Sequence, residues 1–315
     1  MTARPSKAVI EAPHAARGVA QSTAALLFRS LRPEQWTKNL FVLAGLLFGR
    51  RLLDAQSVLM ALSALAVFCG LSGAVYLFND VMDRHADRAH PLKSARPIAS
   101  GALAPRVALV AAFVVGGGAI AAAFLLRPAL GVVAAAYLLL LLLYSTALKH
   151  IVIVDVLTIA AGFVLRAIAG AVAVAVPISH WLLVCTTLLA LFLALSKRRH
   201  ELTLLAADAT EHRRILQEYS PYLLDQMVGV VTASTLVAYA IYATSQETAE
   251  RLGTDRLGLT IPFVLYGIFR YLYLVHQRHG GGSPAAMLLA DRPLLVCVGL
   301  WAASVVLILY TPLGS

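Results

Sequence analysis

The chain has 315 residues, of which 60% are hydrophobic and 13% charged, and its mean hydropathy is +0.79. Soluble domains average about 45–50% apolar and about 25% charged residues, so the composition excludes an ordinary soluble fold and points to a polytopic membrane protein. The net charge of +10 leaves two classes open: a nucleic-acid binder, or a protein whose cations favour one side of a bilayer.

Residues 1–30 read as a cytoplasmic tail, largely disordered, with a short surface helix over about 22–31. The tail lacks the charged, apolar and cleavage regions of a signal peptide. Residues 31–315 read as a single transmembrane domain of the all-α class. Apolar stretches long enough to cross a bilayer fall near 38–53, 56–79, 107–126, 128–148, 152–176, 179–196, 226–246, 257–275 and 293–313, which predicts nine helices. The first is the weakest, because only 39–49 is free of charge before Arg50 and Arg51. Arg127-Pro128 predicts a tight turn between the third and fourth. Cys69, Cys185 and Cys297 lie far apart in apolar runs and read as packing residues.

Sorting the basic residues by side puts 19 of 26 on the face that carries the N-terminus and the loops 80–106 and 197–225. By the positive-inside rule that face is cytoplasmic. The cations follow topology and form no compact aromatic-basic patch, so nucleic acid is not an expected partner. The nine histidines show no metal-ligand spacing.

The most informative stretch is VYLFNDVMDRHADRAHPLKSARPIASG, residues 75–101. If the second span continues as a helix, Asp80, Asp83 and Asp87 share one face, with Asn79 beside them. Stacked carboxylates at a membrane surface repel one another unless a cation binds, and hard oxygen ligands suit Mg²⁺ carried with phosphate. Lys93 and Arg96 follow within ten residues of Asp87 and suit the same phosphates.

This pattern resembles the first aspartate-rich motif of the UbiA superfamily of intramembrane prenyltransferases. RPEQWTKN (32–39), GFVLRAIAGA (162–171), SKRRHEL (196–202) and DRPLL (291–295) extend the resemblance to its decaprenyl-phosphate phosphoribosyltransferase branch. The resemblance implies nine helices around a central cavity, with a polar cap over its cytoplasmic mouth, in the plasma (inner) membrane. It implies Mg²⁺-dependent transfer of 5-phosphoribose from phosphoribosyl pyrophosphate to a polyprenyl phosphate, as in the synthesis of cell-wall arabinan precursors. Asp80, Asp83 and Asp87 would then be the catalytic metal ligands. A homo-oligomer is compatible with this reading.

The superfamily's second acidic motif is replaced here by Ser196-Lys197-Arg198-Arg199-His200-Glu201. Lys197, Arg198 and Arg199, with Glu201 as the one acid, suit the 5-phosphate of the donor better than a second metal cluster. Asp155 and Arg166 are close to three turns apart on the fifth span, and Arg166 near the midplane reads as a grip on an anionic substrate. Tyr144 and Lys149, at the turn before that span, and Lys38, beside interfacial Trp36, are further phosphate candidates. Glu218, Tyr219 and Asp225 lie in a polar loop placed to cover the site, and Arg270 is expected to pair with Asp291. Two alternatives stand beside this reading. One is ordinary prenyl transfer from a prenyl diphosphate, which predicts a second acidic cluster. The other is a lipid-phosphate carrier, which gives no reason for the aspartates.

Overall fold

A computed structural model describes residues 22–90, 93–207, 218–278 and 282–311. Most of the N-terminal tail and Arg213 and Arg214 of the second polar loop lie outside the described residues. Within them every regular element is helical and no strand occurs. The elements are α1 (Thr23–Ser30), a 3-10 segment (Pro33–Leu43) running into α2 (Ala44–Phe48), α3 (Ala55–Met82), α4 (Arg84–Ala89), α5 (Pro105–Leu126), α6 (Pro128–Thr146), α7 (Val154–Ala173), α8 (His180–Ala207), α9 (Pro221–Thr244), α10 (Gln246–Leu252), α11 (Ile261–Gln277), α12 (Pro284–Ala290) and α13 (Arg292–Tyr310).

Helix starts follow local chemistry. The side chain of Asp54 accepts the backbone N–H of Ser57 at the start of α3, that of Ser220 the N–H of Leu223 before α9, and that of Asp291 the N–H of Leu294 before α13. Proline opens α5, α6 and α9, where its missing N–H costs nothing. Arg127 alone joins α5 to α6, as the Arg-Pro pair predicts.

Eight helices among the described residues are long and apolar enough to cross a membrane, so the chain is a multi-pass membrane protein. The first of the nine expected spans, 38–53, is not one of them. It is built from the 3-10 segment and α2, and it breaks at Gly49 before Arg50. This segment still runs the length of the bundle. Arg32, just before it, bonds Asp80, while the Leu46 and Leu47 carbonyls at its far end accept from the Tyr310 hydroxyl. A 3-10 helix rises about 2.0 Å per residue against 1.5 Å for an α-helix, so a short stretch covers more distance when wound tightly.

What holds this segment is backbone contact with α7. A Cβ on Gly170 would come 1.8 Å from the Val42 carbonyl oxygen, and one on Gly45 would come 2.5 Å from the Ala171 nitrogen. More than half of the apolar stretch of α3 and of α7 is buried, against about a fifth in α5 and α6, so α3 and α7 are the inner helices. Phe68, Leu71, Tyr137, Ala169 and Ala173 pack between them. Phe113, Leu125, Val132, Val230 and Phe269 face outward, as lipid contact allows.

Gly170→Ala is therefore expected to lower stability by about 1–3 kcal/mol through overpacking, read as a fall in unfolding midpoint in detergent. Gly299→Ala, which meets nothing within 4 Å, is the control and is expected to stay within about 0.5 kcal/mol of the parent.

Candidate active site

The acidic motif sits where α3 ends. Asp80 lies in its last turn, Asp83 caps it outside helical geometry, and Asp87 belongs to α4. The expectation that all three aspartates share one face of a continuous helix is not met, because the helix breaks at Asp83. Asp80 and Asp87 nevertheless converge. Both are 3% exposed, and Arg96 Nη1 donates to each, at 3.1 Å to Asp80 Oδ1 and 2.6 Å to Asp87 Oδ2. Asp83 diverges: its side chain is 49% exposed and lies 4.0 Å from Lys149 Nζ. Among the described residues no three acidic, histidine or cysteine side chains form a cluster able to hold a metal by themselves. Asp80 and Asp87 are instead bridged by Arg96, and Arg32 adds a second guanidinium at Asp80. Mg²⁺ usually takes one or two protein carboxylates and completes its shell with phosphate and water, and Asp83, exposed and one turn after Asn79, is the carboxylate of the motif most open to such a shell.

Arg32, the first residue of the RPEQWTKN segment, donates to the same Asp80 oxygen. Its guanidinium also lies 4.8 Å from the centre of the Tyr76 ring. Its backbone is left-handed at φ 55°, an unusual state for an arginine before a proline, held by these two contacts. The signal available in sequence was the Arg-Pro that opens the segment. Asn79 and Lys93 flank the motif half-buried, and Lys93 makes no ion pair among the described residues.

The basic motif on α8 behaves differently from the expectation that all three cations await a phosphate. Arg198 is 2% exposed and already spoken for. Its Nε donates to Asp155 Oδ2 at 2.8 Å, its Nη1 to Glu201, and its Nη2 to the Tyr144 hydroxyl at 3.1 Å. Arg199 is paired with Asp225, which His276 also approaches at 3.4 Å. Helical geometry explains the split, since successive residues are turned about 100° apart: Arg198 points into the bundle and Arg199 to its neighbour α9. Lys197 keeps a 42% exposed side chain and lies 3.7 Å from Glu201. Of the three, it is the cation best placed to meet a soluble anion.

Tyr219 ties the second polar loop to this cluster. Its hydroxyl donates to Asp155 Oδ1 at 2.8 Å and accepts the backbone N–H of Ile153 at 2.7 Å. Burial pushes its phenol up to about 12, so the proton that Asp155 receives stays in place at neutral pH. Ile153 has a positive φ of 68°, a costly state for a β-branched residue, and the Tyr219 bond helps to hold it there. The turn 147–153 thus carries Lys149 toward Asp83 on one side and is pinned by Tyr219 on the other.

Arg166 is buried, and its guanidinium is bonded within the bundle. Its Nε donates to Asn39 Oδ1 at 2.7 Å, its Nη1 to the Gly162 carbonyl at 3.0 Å, and its Nη2 to the Tyr137 hydroxyl. It packs between the rings of Tyr137 and Phe163. Asn39 also accepts from Ser72, and these bonds fix α7 to α3, α6 and the 3-10 segment. Lys38 is half-buried one residue earlier and forms no ion pair among the described residues. Arg270 pairs with Asp291 as expected, at 2.7 Å, and that bond holds the Asp291 carboxyl below its ordinary range.

An apolar cleft of about 500 Å³ runs between α6, α7 and α8, lined by Leu140, Leu157, Val164 and Leu165. Leu157 is exposed and Asp155, two residues earlier, faces the interior, so the cleft lies on the outer side of the bundle.

Removing one partner of a buried ion pair costs about 3–5 kcal/mol, whereas removing both relieves the stranded charge. Arg198→Met is thus expected to destabilise by that amount, and adding Asp155→Asn to restore part of the loss. Unfolding midpoints in detergent check this; a double variant no more stable than Arg198→Met would contradict the pairing.

Residues 39–291 match the family model described as the UbiA prenyltransferase family. The decaprenyl-phosphate phosphoribosyltransferase of Mycobacterium tuberculosis is 35% identical over 282 residues, covering 88% of this chain and 92% of that protein. The protein of the same name from Mycolicibacterium smegmatis is 31% identical over 288 residues, covering 89% and 91%. A UbiA homologue from Archaeoglobus fulgidus, solved with GPP and Mg²⁺ bound, superposes with a TM-score of 0.69 at 18% identity, covering 89% of this chain and 98% of that one. At that identity the likeness concerns the fold. The paired aspartates at a helix end, the all-helical membrane bundle and these matches lead to one conclusion: the chain belongs to the UbiA prenyltransferase family and, within it, to the branch of the decaprenyl-phosphate phosphoribosyltransferases, and it is a transferase.

Proposed function

We propose that the protein transfers 5-phosphoribose from phosphoribosyl pyrophosphate to a polyprenyl phosphate in the plasma membrane, with the site on the cytoplasmic face and Mg²⁺ as cofactor. The observation that carries this reading is the acidic motif Asp80, Asp83 and Asp87 where α3 ends, with Arg32, Arg96, Lys149 and Lys197 at the same end of the bundle. Such a site suits a soluble donor with a diphosphate at one end and a monoester at the other. The relatives named for this reaction support the substrate pair.

Asp80, Asp83 and Asp87 would hold Mg²⁺, which when bound neutralises charge on the diphosphate and eases its departure. Arg96 and Arg32 stand next to these carboxylates and take the remaining diphosphate charge. Lys149, in the 147–153 turn, and Lys197, on α8, are the cations assigned to the 5-phosphate. An oxygen of the lipid phosphate forms the new bond to ribose C1 as the bond from C1 to the pyrophosphate oxygen breaks, and the electron pair leaves with pyrophosphate. The attacking oxygen is already anionic, so no general base is required. Catalysis rests on alignment and fixed charge. The cleft between α6, α7 and α8 supplies apolar surface for isoprenoid units.

The alternative of prenyl transfer from a prenyl diphosphate would be served by a second acidic cluster. Asp155 and Glu201, the carboxylates near that position, are instead paired with Arg198 and Lys197.

Purified protein in nanodiscs, given labelled phosphoribosyl pyrophosphate, polyprenyl phosphate and Mg²⁺, is expected to yield lipid-extractable ribose phosphate that chelator abolishes. Turnover only with a prenyl diphosphate donor would sink the proposal. Asp80→Asn, Asp83→Asn and Asp87→Asn are each expected to lower kcat/KM by about 100-fold or more. Full activity in any one of them would contradict its place in the site.

A further inference from the structure

We propose that the Tyr219 hydroxyl is a positioning group for the soluble donor: it holds the 147–153 turn in the shape that keeps Lys149 beside the acidic motif. The inference rests on the reading of Lys149 as a donor-phosphate contact. It adds that a residue of the second polar loop, 66 positions from the backbone it fixes, sets donor affinity without touching the donor.

Helix α7 begins without a cap of its own. Asp54, Ser220 and Asp291 cap α3, α9 and α13 through their side chains, whereas Ile153, at the same place before α7, has a side chain that accepts nothing. Its backbone stands at φ 68° and ψ −42°, a state that a β-branched residue adopts only under constraint. Tyr219 meets both demands. Its hydroxyl accepts the Ile153 N–H at 2.7 Å and donates to Asp155 Oδ1, two residues on, at 2.8 Å. The other oxygen of that carboxylate accepts from Arg198, which also donates to the Tyr144 hydroxyl in the last turn of α6. Tyr144 and Asp155, on the two sides of the turn, are therefore tied to one arginine. The Tyr219 hydroxyl fixes the strained residue between them.

These ties leave the intervening chain little freedom. Residues 148–150 form a single 3-10 turn, and Lys149 in its middle has its ammonium 4.0 Å from Asp83 Oδ1, with 21% of its side chain exposed. Without the Tyr219 hydroxyl the Ile153 N–H loses its acceptor, and the positive φ loses the bond that offsets its cost. The backbone then turns toward negative φ and carries Lys149 with it. The ring of Tyr219 belongs to the buried cluster of Val156, Leu224 and Val228, and Tyr219→Phe retains it. The hydroxyl is thus removable without opening a cavity.

The test compares Tyr219→Phe with the parent, both as full chains in nanodiscs, by initial rates of transfer. KM for phosphoribosyl pyrophosphate is expected to rise about tenfold. The kcat and the KM for polyprenyl phosphate are expected to stay within about twofold of the parent. A merely structural role would lower the active fraction, and so kcat at unchanged donor KM; that result would overturn the proposal. In a Lys149→Ala background, adding Tyr219→Phe is expected to change the donor KM by less than about twofold. A second full rise there would refute action through Lys149. Adding Ile153→Gly to Tyr219→Phe is expected to recover most of the donor affinity, because glycine takes a positive φ without penalty, whereas adding Ile153→Ala is not. Equal behaviour of the two would overturn the role of the strained turn.

A readout independent of turnover separates this inference from the proposed reaction. In a chain carrying Cys69→Ala, Cys185→Ala and Cys297→Ala, the pair Asp83→Cys and Lys149→Cys is expected to be bridged by a short bismaleimide, and several-fold more slowly once Tyr219→Phe is added. Slower bridging without phosphoribosyl transfer by the parent upholds the positioning of the turn and overturns the proposed reaction. Transfer by the parent, with bridging and donor KM both unmoved by Tyr219→Phe, does the reverse.

Discussion

A guanidinium buried in a membrane protein has to find its acceptors inside the protein, and this chain meets that demand in two ways. Arg198 is surrounded by Asp155, Glu201 and Tyr144, so its charge is matched where it lies. Arg166 finds only neutral acceptors: the amide oxygen of Asn39, a helix carbonyl and a tyrosine hydroxyl. The difference follows from depth. Arg198 lies near the polar end of α8, where acids from the α6–α7 turn and from α8 itself are within reach, whereas Arg166 sits twelve residues into α7 among apolar helices. Both solutions bind helices to one another, because every acceptor but two comes from a different element.

These buried networks divide the cations into two groups. Arg198, Arg199 and Arg166 are bonded to partners deep in the bundle, and the other cations at its polar end are Arg32, Arg96, Lys149 and Lys197, together with the half-buried Lys38 and Lys93. They surround the paired aspartates from three directions: the entry to the 3-10 segment, the segment after α4, and the α6–α7 turn. A site assembled from such separate elements is positioned by their packing. The close approach of Gly170 to Val42 is therefore part of how Arg32 reaches Asp80, since it fixes the segment that begins one residue later.

Particular residues show how far the sequence could be read. The motif around Asp80, the tight turn at Arg127-Pro128 and the Arg270–Asp291 pair were legible because each depends on local chemistry or on a strong spacing rule. The helix break at Asp83 was not, because three aspartates at helical spacing look alike whether or not the helix continues. Nor was the commitment of Arg198, because three adjacent cations carry no mark of which one faces inward. Arg32 was hidden among residues that satisfy the positive-inside rule, and Tyr219 among the polar residues of a loop.

By itself the sequence determined that this is a multi-pass helical membrane protein of the UbiA family, with carboxylates at one helix end and cations gathered on one face. Those properties are sums over composition and short spacings, which survive without knowledge of the fold. The tertiary structure decided which charges cancel. It turned Asp83 away from Asp80 and Asp87, gave Arg198 to Asp155, and placed Arg96 between two aspartates. The physical reason is that a buried charge is governed by partners within a few ångströms, and those partners come from segments tens of residues apart that only helix packing brings together.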